Sequence, residues 1–335
     1  MNGKRWAALG IAAGLFIFSI MMNVAYSVAF GNFADLQENL FAGEQTFSEK
    51  VIDGGTSFNR IVVLEVNGVI QDVAGASSLL QSPTYHHRQF LQMLDQAGED
   101  DSVKGIVIRV NSPGGGVVES AEVHDKIIEL KETTKKPVFV SMGSVAASGG
   151  YYISATADKI YANPATMTGS LGVIMQSLNY SELADELGIH FETIKSGPYK
   201  DIGSPERPMS DEERKILQSM VDHAYQQFVD VIANGRNLDE TRVKEIADGR
   251  IYDGIQAKEL GLIDELGNLD ETIAAMKKHI GDDQASVIKY EPSFGIQSFL
   301  QMTAEKMFGT EIDLFGIKQL IHQSNSPRLM YLYTE

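Results

Sequence analysis

Between residues 105 and 162 the chain alternates between two hydrophobic periods, and few folds accept that alternation. "GIVIRV" (105–110), "PVFVSM" (137–142) and "KIYA" (159–162) are short apolar runs that predict buried strands. Between the first two, residues 118–131 place Val123, Ile127 and Leu130 at i, i+4 and i+7, which predicts an amphipathic helix. Residues 147–157 predict a second helix before the third strand. Strands separated by helices form βαβ units, so the fold class is α/β, with a largely parallel sheet flanked by helices. Apolar runs at 61–70 and 285–291 predict further strands. Helices are predicted at 87–96, 210–234, 240–248, 254–260 and 270–280, and Ser210 with Glu213 forms a capping box at the start of the longest.

The N-terminus follows a different rule. Lys4 and Arg5 precede residues 6–30, a stretch without a charged residue. A helix needs about 20 mostly apolar residues to cross a bilayer. The reading is therefore one transmembrane helix, with residues 1–5 cytoplasmic and the rest of the chain outside the cell membrane. Its rival is a cleaved signal peptide, because "SVA" at 27–29 is a passable cleavage site. Residues 31–59 read as a linker or stalk, 60–293 as the α/β domain, and 294–335 as a C-terminal helical segment with an apolar tail.

Composition removes several chemistries. With 28 basic against 45 acidic side chains the net charge is −17, which argues against a nucleic-acid partner. There is no cysteine, so disulfides, thiolate metal sites and a cysteine nucleophile are excluded. No metal-binding spacing occurs, and no cofactor is predicted.

"VSMGSVAASGGYYISATAD" (140–158) holds the candidate nucleophile. Ser148 is flanked by Ala146, Ala147, Gly149 and Gly150, which clears space for an approaching substrate backbone. A serine needs a base to take its proton and donors for the oxyanion. The glycines of "NSPGGG", Gly114, Gly115 and Gly116, expose amides after a neighbouring strand, and the amide of Gly149 is the natural partner. This loop has neither GK[ST] nor GxGxxG, so it is not a phosphate loop. The base is left open by the residues alone. None of the seven histidines stands in a glycine-rich setting. Lys195 and Lys200, in the turn-rich "IKSGPYKDIGSPERP", are candidates if burial lowers an amine pKa.

"VNSPGGG", "SMGSVAASGGYYISATAD", "TGSLGVI" and "KSGPYKD", in this order and spacing, resemble the SppA-type serine proteases of peptidase family S49, in the short Bacillus-type form. The resemblance implies a ClpP/crotonase-like superfold and a Ser–Lys dyad. Its serine falls on Ser148 and its lysine on Lys200. Gly114 to Gly116 correspond to its oxyanion glycines, and Ser170 to a serine near the lysine. It further implies a homo-oligomeric ring or dome in which neighbouring protomers share the dyad, and peptide substrates of the remnant signal-peptide type. Three other readings remain: a ClpP-like peptidase with a histidine base, a crotonase-like acyl-CoA enzyme, and a non-enzymatic membrane scaffold. The tail "LMYLY" is either a packing strand or a substrate-like occupant of the active-site groove.

Overall fold

The computed structural model describes residues 14–16, 18–19, 47–72, 85–292 and 328–333. Most of the expected anchor and most of the C-terminal segment lie outside the described residues. Among the described residues no helix is long and apolar enough to cross a membrane. The chain forms two compact units, 1–48 with 291–315 and 49–290 with 316–335. The second unit carries the sheet and the site; of the first, the described part is a few residues at 14–16, 18–19, 47–48 and 291–292.

In chain order the elements begin with β1 (Phe47–Asp53), β2 (Arg60–Asn67), α1 (His87–Glu99), β3 (Val103–Ser112), β4 (Gly114–Gly116) and α2 (Val117–Thr134). They continue with β5 (Val138–Ala147), α3 (Gly149–Ser154), β6 (Lys159–Ala162), β7 (Met167–Gly169), β8 (Ile174–Met175) and α4 (Ser181–Glu186). The long α5 (Asp211–Arg236) leads to α6 (Glu240–Ile246), β9 (Ile251–Tyr252), α7 (Gly254–Glu259), β10 (Glu265–Leu266), α8 (Leu269–Ile280), β11 (Ser286–Pro292) and β12 (Leu329–Leu332). The main sheet runs β1-β11-β2-β3-β5-β6-β10, with β7 paired to β5 and β9 to β7. The pairs β11–β2, β2–β3, β3–β5, β5–β6, β6–β10 and β5–β7 are parallel.

The period-2 alternation of the central strands explains how both faces are covered. Ile61, Val63, Val107, Phe139 and Val287 pack with Ile273 and Met276 of α8. The intervening residues, Val62, Leu64, Ile106, Ile108 and Val140, are equally buried on the opposite face, the side of α1, α2 and α3. Each such aliphatic side chain contributes about 1.5–3 kcal/mol by leaving water. The predicted capping box is present: the Ser210 hydroxyl accepts from the Glu213 amide, and the Glu213 carboxylate from the Ser210 amide.

One segment departs from the sequence expectation, and the tail takes the strand form that is one of its two readings. Phe47–Asp53, inside the stretch read as a linker, is a strand at the edge of the sheet. Only its first residue is buried, so it carries no apolar run to betray it. The tail residues Leu329–Leu332 form a strand far from their sequence neighbours, in a small antiparallel sheet of order β4-β12-β8.

Candidate active site

The site lies at the carboxyl ends of β3 and β5, where parallel sheets place their ligands. The β3–β5 register shifts between Val110 and Ser112, so that Ser112 pairs with Ala146. Both strands are thereby re-aimed just before the glycine loop and Ser148.

Ser148 is the single residue between β5 and α3. Its backbone has φ 52° and ψ −115°, the conformation of a glycine at the first central position of a type II′ turn. A non-glycine residue there is strained, and the surrounding contacts hold it in place. Its N–H donates to the Gly169 carbonyl (2.8 Å), and its carbonyl accepts from the Tyr152 amide (2.8 Å). The serine is buried, and its hydroxyl does not cap α3. Strain and burial together hold the serine at the carboxyl end of β5, and its hydroxyl takes no hydrogen-bond partner among the described residues.

The glycine loop runs alongside. Gly114 has φ +103°, and a Cβ on it would lie 2.7 Å from the Gly149 nitrogen. A Cβ on Gly115 would collide with the Ile70 carbonyl. Two of the three loop amides are spent internally. Gly114 N–H donates to Ser112 Oγ (3.0 Å) and Gly116 N–H to the Ile70 carbonyl (2.9 Å). Gly115 remains, and it faces the tail: Tyr331 pairs with Gly115, Leu332 with Gly114 and Met330 with Gly116. On its other edge the tail pairs with β8, Met330 against Ile174. The Tyr331 ring is fully buried; it stacks on Tyr152 (4.9 Å) and lies 4.7 Å from Phe228. Its hydroxyl donates to the Ala224 carbonyl (2.9 Å), and burial raises its pKa. Between β4 and β8 there is thus a slot one strand wide, with an aromatic pocket beneath it.

Ser170 adjoins Ser148 through the backbone. It follows β7, whose Gly169 accepts from the Ser148 amide, and its own N–H donates to the Arg250 carbonyl (2.8 Å). It too has positive φ, 49°.

Lys200 is not part of this cluster. It is exposed, in the turn Gly197–Ile202 of an arm that spans residues 172–210. Lys195, the other candidate, is committed elsewhere: its Nζ donates to Asp201 Oδ1 (2.7 Å) and the Pro198 carbonyl (3.1 Å). Arg207 then binds both Asp201 and Glu213, tying the turn to the cap of α5. The arm wears its apolar side chains outward. Leu178, Leu183, Leu187, Phe191 and Ile194 are all exposed, Ile194 completely. Among the described residues no histidine bonds Ser148. His87 holds Tyr85 and Glu122, His124 holds Asp125, His190 faces Asp185, and the His279 ring packs on Phe139.

Comparison with known proteins identifies the family. Residues 130–282 match the model of peptidase family S49. A protein of Enterococcus faecium, provisionally named signal peptide peptidase SppA, is 44% identical over 87% of this chain and 85% of its own. The chain belongs to peptidase family S49. Two longer members are also similar: the chloroplastic serine protease SPPA of Arabidopsis thaliana (32% identical, 77% of this chain, 39% of its own) and Protease 4 of Haemophilus influenzae (32%, 69% and 36%). This S49 peptidase therefore spans most of the Enterococcus relative and under two-fifths of the longer ones. It is a serine peptidase, and the matched region contains Ser148, Ser170 and Lys200.

Proposed function

We propose that the chain is a Ser–Lys endopeptidase that cleaves apolar peptides held as an extra strand between β4 and β8. The carrying observation is the slot itself. The chain's own residues 329–332 lie in it in extended form, hydrogen-bonded on both edges, beside Ser148 and the glycine loop. A peptide added to two strand edges gains main-chain hydrogen bonds irrespective of sequence, and pockets for alternate side chains give selectivity. The pocket filled by Tyr331 suits an aromatic or large apolar residue.

Ser148 Oγ attacks the scissile carbonyl carbon after losing its proton to the base. The amides of Gly115 and Gly149 receive the oxyanion; Gly114 and Gly116, whose amides are occupied, shape the loop. The base returns its proton to the leaving amine, and water then hydrolyses the acyl-enzyme. We assign the base to Lys200 of a second copy. Within one chain Lys200 is exposed; packing the arm's exposed apolar residues against another protomer would bury the amine, and burial disfavours the charged form of an amine. A homo-oligomeric ring or dome of the ClpP/crotonase-like type meets this need, and Ser170 would then lie beside the incoming lysine. With the N-terminal residues 6–30 as an anchor, the catalytic domain would stand outside the cell membrane, where remnant signal peptides are the natural apolar substrates.

A histidine base is disfavoured because among the described residues no histidine bonds Ser148 and four of them hold other partners, and an acyl-CoA enzyme would not need a strained serine. The test is cleavage of an internally quenched apolar peptide. Ser148→Ala and Lys200→Ala are each expected to reduce kcat/KM at least about a thousandfold with folding unchanged. Wild-type cleavage by Ser148→Ala would overturn the nucleophile; wild-type cleavage by Lys200→Ala would overturn the base.

A further inference from the structure

At the upstream end of the slot stands a carboxylate that the chemistry above does not use. Glu119 is the third residue of α2, one turn past the glycine loop. Its side chain is only 9% exposed. It folds back over Gly116, so closely that a Cβ on that glycine would collide with its Oε2. Gly116 is the residue that pairs with Met330 of the tail, so the carboxylate sits beside the strand in the slot. Among the described residues its one cationic partner is Arg328, whose Nη2 donates to Glu119 Oε1 at 3.3 Å. The same oxygen accepts weakly from the Asp72 amide (3.4 Å). The neighbourhood adds negative charge. Burial and then Glu119 raise the Tyr85 pKa, and Glu122 and Asp72 lie close enough to add to the rise. Those two carboxylates have their own partners, Arg88 for Asp72 and His87 for Glu122.

We infer that Glu119 forms a subsite for a basic side chain of the substrate, three residues before the one that fills the aromatic pocket. This rests on the reading of the slot as the substrate groove. The spacing is that of the tail, in which Arg328 precedes Tyr331 by three residues. When a substrate displaces the tail, Arg328 leaves with it. Glu119 is then a buried carboxylate without a cation, an unfavourable state unless the incoming peptide supplies one. An arginine in that place restores the pair, an alanine leaves the carboxylate unpaired, and a glutamate adds a like charge. Arg328 is itself 59% exposed, so the gain is that of a half-solvated ion pair. The preferred substrate is accordingly an apolar stretch with an arginine or lysine just ahead of it.

The experiment uses the full-length protein and three quenched peptides, Xaa-Leu-Met-Tyr-Leu with Xaa as Arg, Ala or Glu. The wild type is expected to rank them Arg, Ala, Glu by kcat/KM, with Arg ahead of Ala about fivefold at low ionic strength and less at about 0.5 M salt. In Glu119→Gln the ratio of Arg to Ala should fall to about one, whatever the absolute rates. Equal rates for the three peptides with the wild type would overturn the subsite, as would a Glu119→Gln protein that keeps the ratio. If the variant does not fold, the wild-type ranking and its salt dependence still decide. If the wild type cleaves none of the three, the slot is not the substrate groove, and the subsite falls with it.

Discussion

The Ser148 region and the Lys200 arm are built on opposite principles. Around Ser148 nearly everything is buried: Ala146, Ala147, Gly149, Gly150, Tyr151 and Tyr152 are core residues, and the serine's strained backbone is held by β7 on one side and α3 on the other. Along the arm the order is reversed. From residue 172 to 210 only Ser181, Ala184 and Gly203 are buried, while its leucines, Ile194 and Phe191 face water. A soluble chain exposes a contiguous apolar surface where something is meant to cover it. In the proposed reading, one half of the site is complete in the single chain, and the other half is finished only by contact. Such a division keeps a peptidase inert until it assembles, because a serine without a base and an amine in water do no chemistry.

The sharpest way to break this comparison is to mix two dead proteins. If the dyad is shared, a Ser148→Ala protomer still supplies Lys200 and a Lys200→Ala protomer still supplies Ser148. Co-assembled in equal amounts, they should form one intact pair at on the order of a quarter of their interfaces, and activity should return to about that fraction of wild type. No recovery from a demonstrably mixed assembly would mean that both groups act within one chain, and the arm would have to fold over its own serine.

The next largest effect is expected from making the arm polar. Phe191→Asp together with Ile194→Asp removes two exposed apolar groups, of which Ile194 is fully exposed and Phe191 keeps one ring contact, with Tyr180 of the same arm. Circular dichroism should be unchanged, the sedimenting mass should fall, and activity should drop at least about a hundredfold. An assembly of unchanged mass would show that the apolar face of the arm serves another purpose.

A smaller effect concerns the buried half. Ser148 occupies a glycine conformation. Ser148→Gly relieves the strain and Ser148→Ala does not, so the glycine variant should be the more stable of the two by about 1 kcal/mol, a few degrees in Tm, although both are inactive. Equal stabilities would mean that the turn at Ser148 is unstrained.

The same division explains what could be read from the chain. The parallel sheet, its helices and the capping box at Ser210 follow from local periodicity and local chemistry, and each appears close to its expected bounds. The crowding of small residues around Ser148 marked the turn, but not its positive φ, which depends on contacts with Gly169 and Tyr152. The three glycines of the loop were equivalent in sequence. Only the hydrogen bonds that the Gly114 and Gly116 amides donate to Ser112 Oγ and the Ile70 carbonyl show that Gly115 alone has its amide facing the slot. A strand in the tail was legible, but its partners were not, because they lie more than 150 residues away; β1 was hidden because an edge strand needs no apolar run. Glu119 gave no signal beyond a glutamate in the first turn of a helix. Its meaning appears only when Arg328 arrives from the far end of the chain.

The smallest effect expected is in the latch that shapes the arm. Arg207 binds Asp201, the residue after Lys200, and Glu213 at the start of α5. The Arg207 guanidinium, aided by the Ser210 amide, holds the Glu213 carboxyl down from 4.5 to about 2. Arg207 and then Lys195 hold Asp201 well below the ordinary carboxylate range. A carboxyl whose pKa is lower folded than unfolded stabilises the fold above the unfolded value, and that contribution fades as the pH falls through the folded one. The latch is therefore fully effective above about pH 4.5 and largely lost near pH 2. Arg207→Ala removes it at every pH. Hydrogen exchange in residues 195–213 should then be a few-fold faster in the variant above pH 4.5, with the gap closing toward pH 2. A gap that stays constant with pH would mean that Arg207 holds the turn by packing, and that the geometry around Lys200 owes nothing to these two carboxylates.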